Sequence, residues 1–172
     1  MILLYMKKAT FIIIGLVLIL SILVCSVLYI TRNKFASPLP VKLVIRNDDY
    51  GGGYFGAKRS GGRRHKGIDL LADMGAPVLA AKFGIVQFAG HKKGNGKFIV
   101  LKHLWGYKTF YLHLSKIDVK QDQWVKQGQV IGYVGKTGNA NRGGMQPHLH
   151  FEVHKDGIPQ DPMQITKDLT LL

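Results

Sequence analysis

Cysteine is nearly missing from this chain of 172 residues: Cys25 is the only one, and it lies inside an apolar run. That excludes a disulfide framework and removes thiolates from any metal site in the folded part, leaving His, Asp and Glu as the available ligands. Acidic residues are scarce too, 10 against 24 Lys and Arg, for a formal net charge of +14. Setting aside Lys7, Lys8, Arg32 and Lys34 beside the apolar run leaves 20 basic residues against 10 acidic ones, so the rest of the chain stays strongly positive. Such a field favours anionic partners, and nucleic acid, an anionic membrane and an acidic cell-wall polymer all qualify on charge alone. No basic-aromatic recognition motif of the common kinds is present, so a nucleic-acid partner is not expected. Convincing amphipathic helices, internal repeats and low-complexity tracts are also lacking.

What is present first is a long apolar segment. Ala9 to Ile30 is a 22-residue stretch without charge, rich in Ile, Leu and Val, and about 20 such residues span a bilayer. A cleaved secretory signal has a shorter apolar core, roughly 7 to 15 residues, followed by a small-x-small cleavage site. Cys25 follows Val24, where a bacterial lipobox carries a small residue. The expectation is a short segment over 1–8 and an uncleaved single-pass signal anchor over 9–30. Lys7 and Lys8 with the α-amine precede the span and Arg32 and Lys34 follow it, which gives a slight lean toward the N-terminus inside and the domain outside. Residues 31–41, with Pro38 and Pro40, read as an extended linker. The remainder has room for one domain of ordinary size, placed at 42–168.

That domain reads as all-β. Runs such as PVLAA, GIVQFAG, KFIVLKHL, KTFYLHL, QVIGYVG and HLHFEVH are separated by Gly, Asn and Asp clusters, the pattern of short strands joined by turns. With 21 glycines the expected architecture is a compact antiparallel, sandwich-like or barrel-like sheet built from hairpins.

Three constellations can carry chemistry. In PHLHFEVH, Leu149, Phe151 and Val153 face one way along a strand while His148, His150, Glu152 and His154 face the other. Residues two apart on a strand are roughly 6.5 to 7 Å apart, so both imidazoles can address one site. In RRHKGIDLL, His65 and Asp69 are four apart, about 13 Å in a straight strand, too far for metal bonds of about 2 Å. Gly67 argues against a helix there, so a turn or bulge at Lys66 and Gly67 must fold His65 back toward Asp69. In KTFYLHLS, alternation sets Thr109, Tyr111 and His113 on a polar face, against Phe110, Leu112 and Leu114. Together these sets supply two His and one carboxylate for a tetrahedral zinc with an open fourth position, the pattern of a catalytic rather than a structural site, plus two further histidines.

These residues resemble the lysostaphin-type, or LytM-domain, zinc endopeptidases, whose signature is H-x-x-x-D followed far downstream by H-x-H. The likeness runs from YFGAKRSGGRRHKGIDL through APVLAAKFGIVQFAG, YKTFYLHLS and VKQGQVIGYVGKTG to PHLHFEVHKDGIPQDP, roughly residues 50 to 165. It implies a duplicated hybrid, LytM-type β domain with one Zn2+, bound by His65, Asp69 and His150, and with His113 and His148 as the paired catalytic histidines. It also implies hydrolysis of peptide bonds in peptidoglycan cross-links or glycine-rich bridges, by a domain on the periplasmic or extracellular side of a bacterial cell membrane. Some relatives have lost ligands and act only as activators of other wall hydrolases; this chain keeps all five positions. Two departures stand out: NANRGGMQ between Gly138 and Pro147 is longer than the short glycine turn usual there, and Asp122 stands where glycine is common. Glu152 shares the strand face of His148 and His150 and is read as orienting a ligand histidine, with a role as base the alternative. Lys58, Arg59, Arg63, Arg64 and Lys66 form a basic cluster suited to substrate carboxylates or to long-range steering alone.

Overall fold

A computed structural model describes residues 2–32 and 35–166. Residue 1, residues 33–34 of the expected linker and 167–168 at the expected end of the domain lie outside them. The chain forms two compact units, residues 1–34 and 35–172.

The first unit is a single helix, α1 (Ile2–Arg32), with side chains described over residues 10–26. Its large apolar side chains from Phe11 to Val24 are exposed. Among the described residues no helix is long and apolar enough to cross a membrane. At about 1.5 Å per residue, the stretch 10–26 measures roughly 26 Å against a hydrocarbon core of about 30 Å. The span read from the sequence over 9–30 is therefore matched in helicity alone.

The second unit is mostly β, as its run of short alternating segments demands. Its strands are β1 (Asn47–Asp48), β2 (Gly51–Gly52), β3 (Ile68–Leu71), β4 (Pro77–Leu79), β5 (Gly84–Lys92) and β6 (Gly96–Lys102). There follow β7 (Tyr107–Leu114), β8 (Lys116–Ile117), β9 (Trp124–Val125), β10 (Val130–Tyr133), β11 (His148–Lys155), β12 (Ile158–Gln160) and the short α2 (Pro162–Ile165). Seven strands make one sheet in the order β12-β11-β7-β6-β5-β9, with β3 paired to the same edge of β11 as β12. A three-stranded sheet, β4-β10-β8, and the β1-β2 hairpin complete it. Among the described residues every pair of these strands is antiparallel, and an isolated parallel bridge joins Phe35 to Thr166.

One face of the large sheet packs on the small one around Ile68, Leu70, Val86, Ile99, Leu101, Leu149, Phe151 and Val153, all fully buried, with Val78 and Ile131. The core also takes in Phe35 and Leu39. The compact unit thus begins seven residues before Lys42, because two apolar anchors sit among the polar and proline residues that read as linker. Asp122, at the position where glycine is common, has φ 65°, a left-handed conformation that Asp tolerates better than most side chains.

Candidate metal centre and imidazole pair

Register brings the first pair of site residues together. β11 pairs with β3 so that His150 stands directly opposite Asp69, and with β7 so that His150 stands opposite Leu112. His65 lies upstream of β3 beyond a bend at Gly67. The bend is possible because Gly67 lies against β11: a Cβ there would come 2.1 Å from the Phe151 carbonyl oxygen, an approach only glycine permits. The loop before it is fixed by His65 N donating to the Ala57 carbonyl and Gly56 N to the His65 carbonyl, both at 2.9 Å. The outcome is that His65, Asp69 and His150, all buried, bring one potential ligand atom each within 4.8 Å of one another.

The surrounding bonds decide which atoms face inward. His65 Nδ1 donates to the Tyr54 carbonyl at 2.8 Å, so its Nε2 lone pair points to the centre, 3.1 Å from Asp69 Oδ1. His150 Nε2 is held by Glu152 Oε1 at 2.8 Å. Its Nδ1 therefore faces Asp69 Oδ1 at 2.8 Å and His65 Nε2 at 2.9 Å. The other Asp69 oxygen, Oδ2, accepts from Arg46 Nη2 at 2.9 Å and Arg59 Nη2 at 3.1 Å, which leaves Oδ1 alone on the inner side.

This cluster is built to hold positive charge. Burial disfavours the charged His150 ring, yet hydrogen bonds from it to Asp69 and Glu152 push its pKa up to about 9. Burial likewise raises the Asp69 carboxyl, but hydrogen bonds and charge from His150 and His65 hold it well below the ordinary carboxylate range. Without a metal the charge is a proton on His150 Nδ1; two imidazole nitrogens and one carboxylate oxygen in the same place fit a divalent cation with N and O preference.

His113 and His148 stand beside this cluster, their rings 5.2 Å apart, with His113 5.9 Å from His150. Each Nδ1 donates to a backbone carbonyl, Thr137 for His113 at 2.9 Å and Gln146 for His148 at 2.8 Å, so each Nε2 carries a lone pair. Burial keeps both rings neutral, pushing His113 down to about 3 with help from the charge on His150, and lowering His148 as well.

His113 does not reach the site by strand alternation. Thr109 and Tyr111, assigned by the sequence to a polar face, are fully buried on the core side. His113 leaves their side through a left-handed φ of 68°, next to a register shift between Lys97 and Ile99 in the β6-β7 pairing. Strain of this kind in a non-glycine residue persists where surrounding structure enforces it.

An open cleft of about 1280 Å3 covers these groups. Asn139, Ala140, Arg142 and Met145 from the long loop line it, and Tyr50 donates its hydroxyl hydrogen to the Gly143 carbonyl, linking that loop to the β1-β2 hairpin. Lys58, Arg59, Arg63, Arg64 and Lys66 also line it. Arg59 is turned to Asp69 and the Gly52 carbonyl, while Arg63 and Arg64 bond the Ser60 and Gly56 carbonyls. The sequence reading missed Arg46, whose one signal is a basic residue ending the short apolar run LVI. His154, without a role in that reading, is bonded through Nε2 to Glu152 Oε2 at 2.7 Å.

Residues 63–162 match peptidase family M23. The chain is 40% identical over 111 residues to the DD-carboxypeptidase/endopeptidase Mpg of Neisseria meningitidis serogroup B, covering 63% of this chain and 25% of that protein. The chain thus spans about a quarter of that curated relative. Among solved structures, the catalytic domain of the antimicrobial peptidase lysostaphin from Staphylococcus simulans superposes with a TM-score of 0.58 at 36% identity, over 66% of this chain and 89% of that one. A zinc containing peptidase from Vibrio cholerae gives 0.62 at 36% identity, over 76% and 39%.

Proposed function

The chain belongs to peptidase family M23, and from that premise we propose that it is a membrane-anchored zinc metalloendopeptidase that hydrolyses peptide bonds in peptidoglycan. The observation that carries this reading is the convergence of His65 Nε2, Asp69 Oδ1 and His150 Nδ1 on one point beside two neutral imidazoles whose Nδ1 atoms are engaged by backbone carbonyls.

His65, Asp69 and His150 hold the zinc. Bound there, zinc supplies Lewis acidity, polarising a carbonyl and lowering the pKa of water from about 15.7 toward 7. Arg46 and Arg59 hold Asp69 Oδ2 and so leave Oδ1 facing inward, and Glu152 keeps His150 Nδ1 turned inward. His148 and His113 line the cleft, each with an unprotonated Nε2. One takes the proton released as water attacks the scissile carbonyl, and the other, once protonated, donates to the developing oxyanion or the leaving amine. The open cleft admits an extended peptide, and its basic rim suits the carboxylates of wall peptides.

The anchor is α1. Its support is the uncharged run Ala9 to Ile30, longer than the roughly 20 residues a bilayer requires, inside a helix of 31 residues. The slight lean of the flanking positive charges supports a β domain on the outer side of a bacterial cell membrane.

Zymography on purified peptidoglycan tests the activity. Clearing that disappears with a chelator and returns with zinc is expected. Absence of clearing by folded, zinc-loaded protein would instead mean a wall-binding scaffold or an activator of other hydrolases.

A further inference from the structure

The only two tryptophans of the chain, Trp105 and Trp124, stand at the same end of the large sheet. Trp124 pairs across β5 with Ile85, and Ile85 pairs with Lys102 on the next strand. Lys102 is opposite Lys108 on β7, so one row across the sheet reads Lys108, Lys102, Ile85, Trp124. Just beyond it, the Trp124 ring stacks on Phe83 at 5.1 Å between centroids and 14° between planes. Leu104 and Trp105 form the tip between β6 and β7.

These four apolar residues are 49% to 65% exposed, a concentration of large apolar side chains that a soluble surface rarely shows in one place. Beside them are Lys82, Lys102, Lys108 and Lys155, and the nearby Asp156 is paired with Lys155. Lysines directly opposite in an antiparallel pair, as Lys102 and Lys108 are, repel unless an anion lies between them. Exposed aromatic rings beside the facing pair Lys102 and Lys108 match the boundary of an anionic bilayer, where amphipathic rings settle among headgroups and basic residues meet phosphates.

The chain's path points the same way. Phe35, the first described residue of the β domain, is part of this end: its ring lies 5.7 Å from His103 and 5.4 Å from Tyr107, with Lys82 Nζ 4.9 Å above it. Only Asn33 and Lys34 separate Phe35 from the end of α1 in sequence. The cleft is at the other end of β11: from His150 to Lys155 that strand runs about 17 Å.

We propose that this end of the sheet is a membrane-docking face, on which Phe83, Leu104, Trp105 and Trp124 insert among the phospholipid headgroups of an anionic bilayer, with Lys102 and Lys108 at the phosphates. The inference rests on the reading of α1 as an anchor. Docked this way, the domain has its cleft turned away from the bilayer.

Because both tryptophans are on this face, emission excited selectively at tryptophan, beyond the absorption of tyrosine, reads the face alone. The chain is reconstituted in vesicles of phosphatidylglycerol and phosphatidylcholine, with acyl chains either ordinary or brominated near the headgroup. Flotation with the vesicles is scored first; a chain that does not float removes the anchor reading and this proposal with it. In floating protein, the expected result is blue-shifted emission quenched roughly twofold by the brominated lipid. Quenching should fall in phosphatidylcholine alone and in K102E/K108E, whose zinc content is expected to match that of the parent chain. A floating chain whose emission is the same in ordinary and brominated vesicles overturns the proposal and leaves the anchor intact. So does quenching that is indifferent to lipid charge and to K102E/K108E.

Discussion

Glu152 Oε1 accepts the Nε2 hydrogen of His150 at 2.8 Å, and through that one bond Nδ1 becomes the nitrogen that faces His65 and Asp69. A partner of this kind fixes both the tautomer and the orientation of a ligating ring. Glu152→Ala is therefore expected to weaken metal affinity by about 10- to 100-fold. Glu152→Gln, whose amide oxygen can still accept, should fall between the two. Competition with a chelator of known affinity measures this. Equal affinity for the parent chain and Glu152→Ala would show that the ring is held by something else.

The two sets of histidines should separate by phenotype. His65→Ala, Asp69→Ala and His150→Ala each remove an atom of the converging trio and should abolish stoichiometric zinc. His113→Ala and His148→Ala should keep zinc and lose turnover on peptidoglycan by about 100- to 10,000-fold, the range of a lost general acid or base. Elemental analysis beside a hydrolysis assay reads both quantities. A folded His150→Ala protein with full zinc would refute the ligand set.

The contrast between His150 and His113 shows how far the sequence carries. β11 alternates without interruption, so its core residues and its site face were legible from period two alone, and the structure pairs them in that register. His113 was assigned to a face with Thr109 and Tyr111 that turns out to be the core. A left-handed residue beside a register shift re-aims its ring, and nothing in the pattern YLHLS signals that. His65 lies between these cases: Gly67 announced a bend, but the close approach to Phe151 that demands glycine depends on a strand some 80 residues away. Arg46 and Arg59 were invisible as partners of Asp69 for the same reason: Arg46 is set beside β3 by its backbone bond to the Asp69 carbonyl, and Arg59 comes from the Gly53 to His65 loop.

Gly67 makes that dependence testable. A Cβ at this position would meet the Phe151 carbonyl oxygen at 2.1 Å and Glu152 Cγ at 2.8 Å, and the strand backbone has no room to give. Gly67→Ala should open the bend, costing about 1 to 3 kcal/mol of stability as an overpacked site does, and should draw His65 away from Asp69. Thermal unfolding with and without zinc checks both effects. The melting temperature should drop, and the extra stability conferred by zinc should shrink as well. An unchanged zinc increment would mean that the bend does not position His65.

His103, far from the metal centre, should leave its own signature in the pH dependence of stability. Its ring is 5% exposed, bonded through Nδ1 to the Phe83 carbonyl at 2.9 Å and through Nε2 to Thr109 Oγ1 at 2.8 Å. Burial pushes its pKa down to about 4 against the opposing Phe83 bond, and the charge of Lys82 lowers it further. The unfolded chain, near 6.5, thus binds more protons between those values. Stability present above about pH 6.5 is lost as pH falls toward 4, by up to about 3 kcal/mol for a shift of this size. Urea unfolding of the metal-free chain in detergent, compared with His103→Gln, isolates this group: the variant's stability should fall less steeply across that window. Parallel slopes for the two proteins would assign the acid sensitivity to other residues, His113 and His148 first among them.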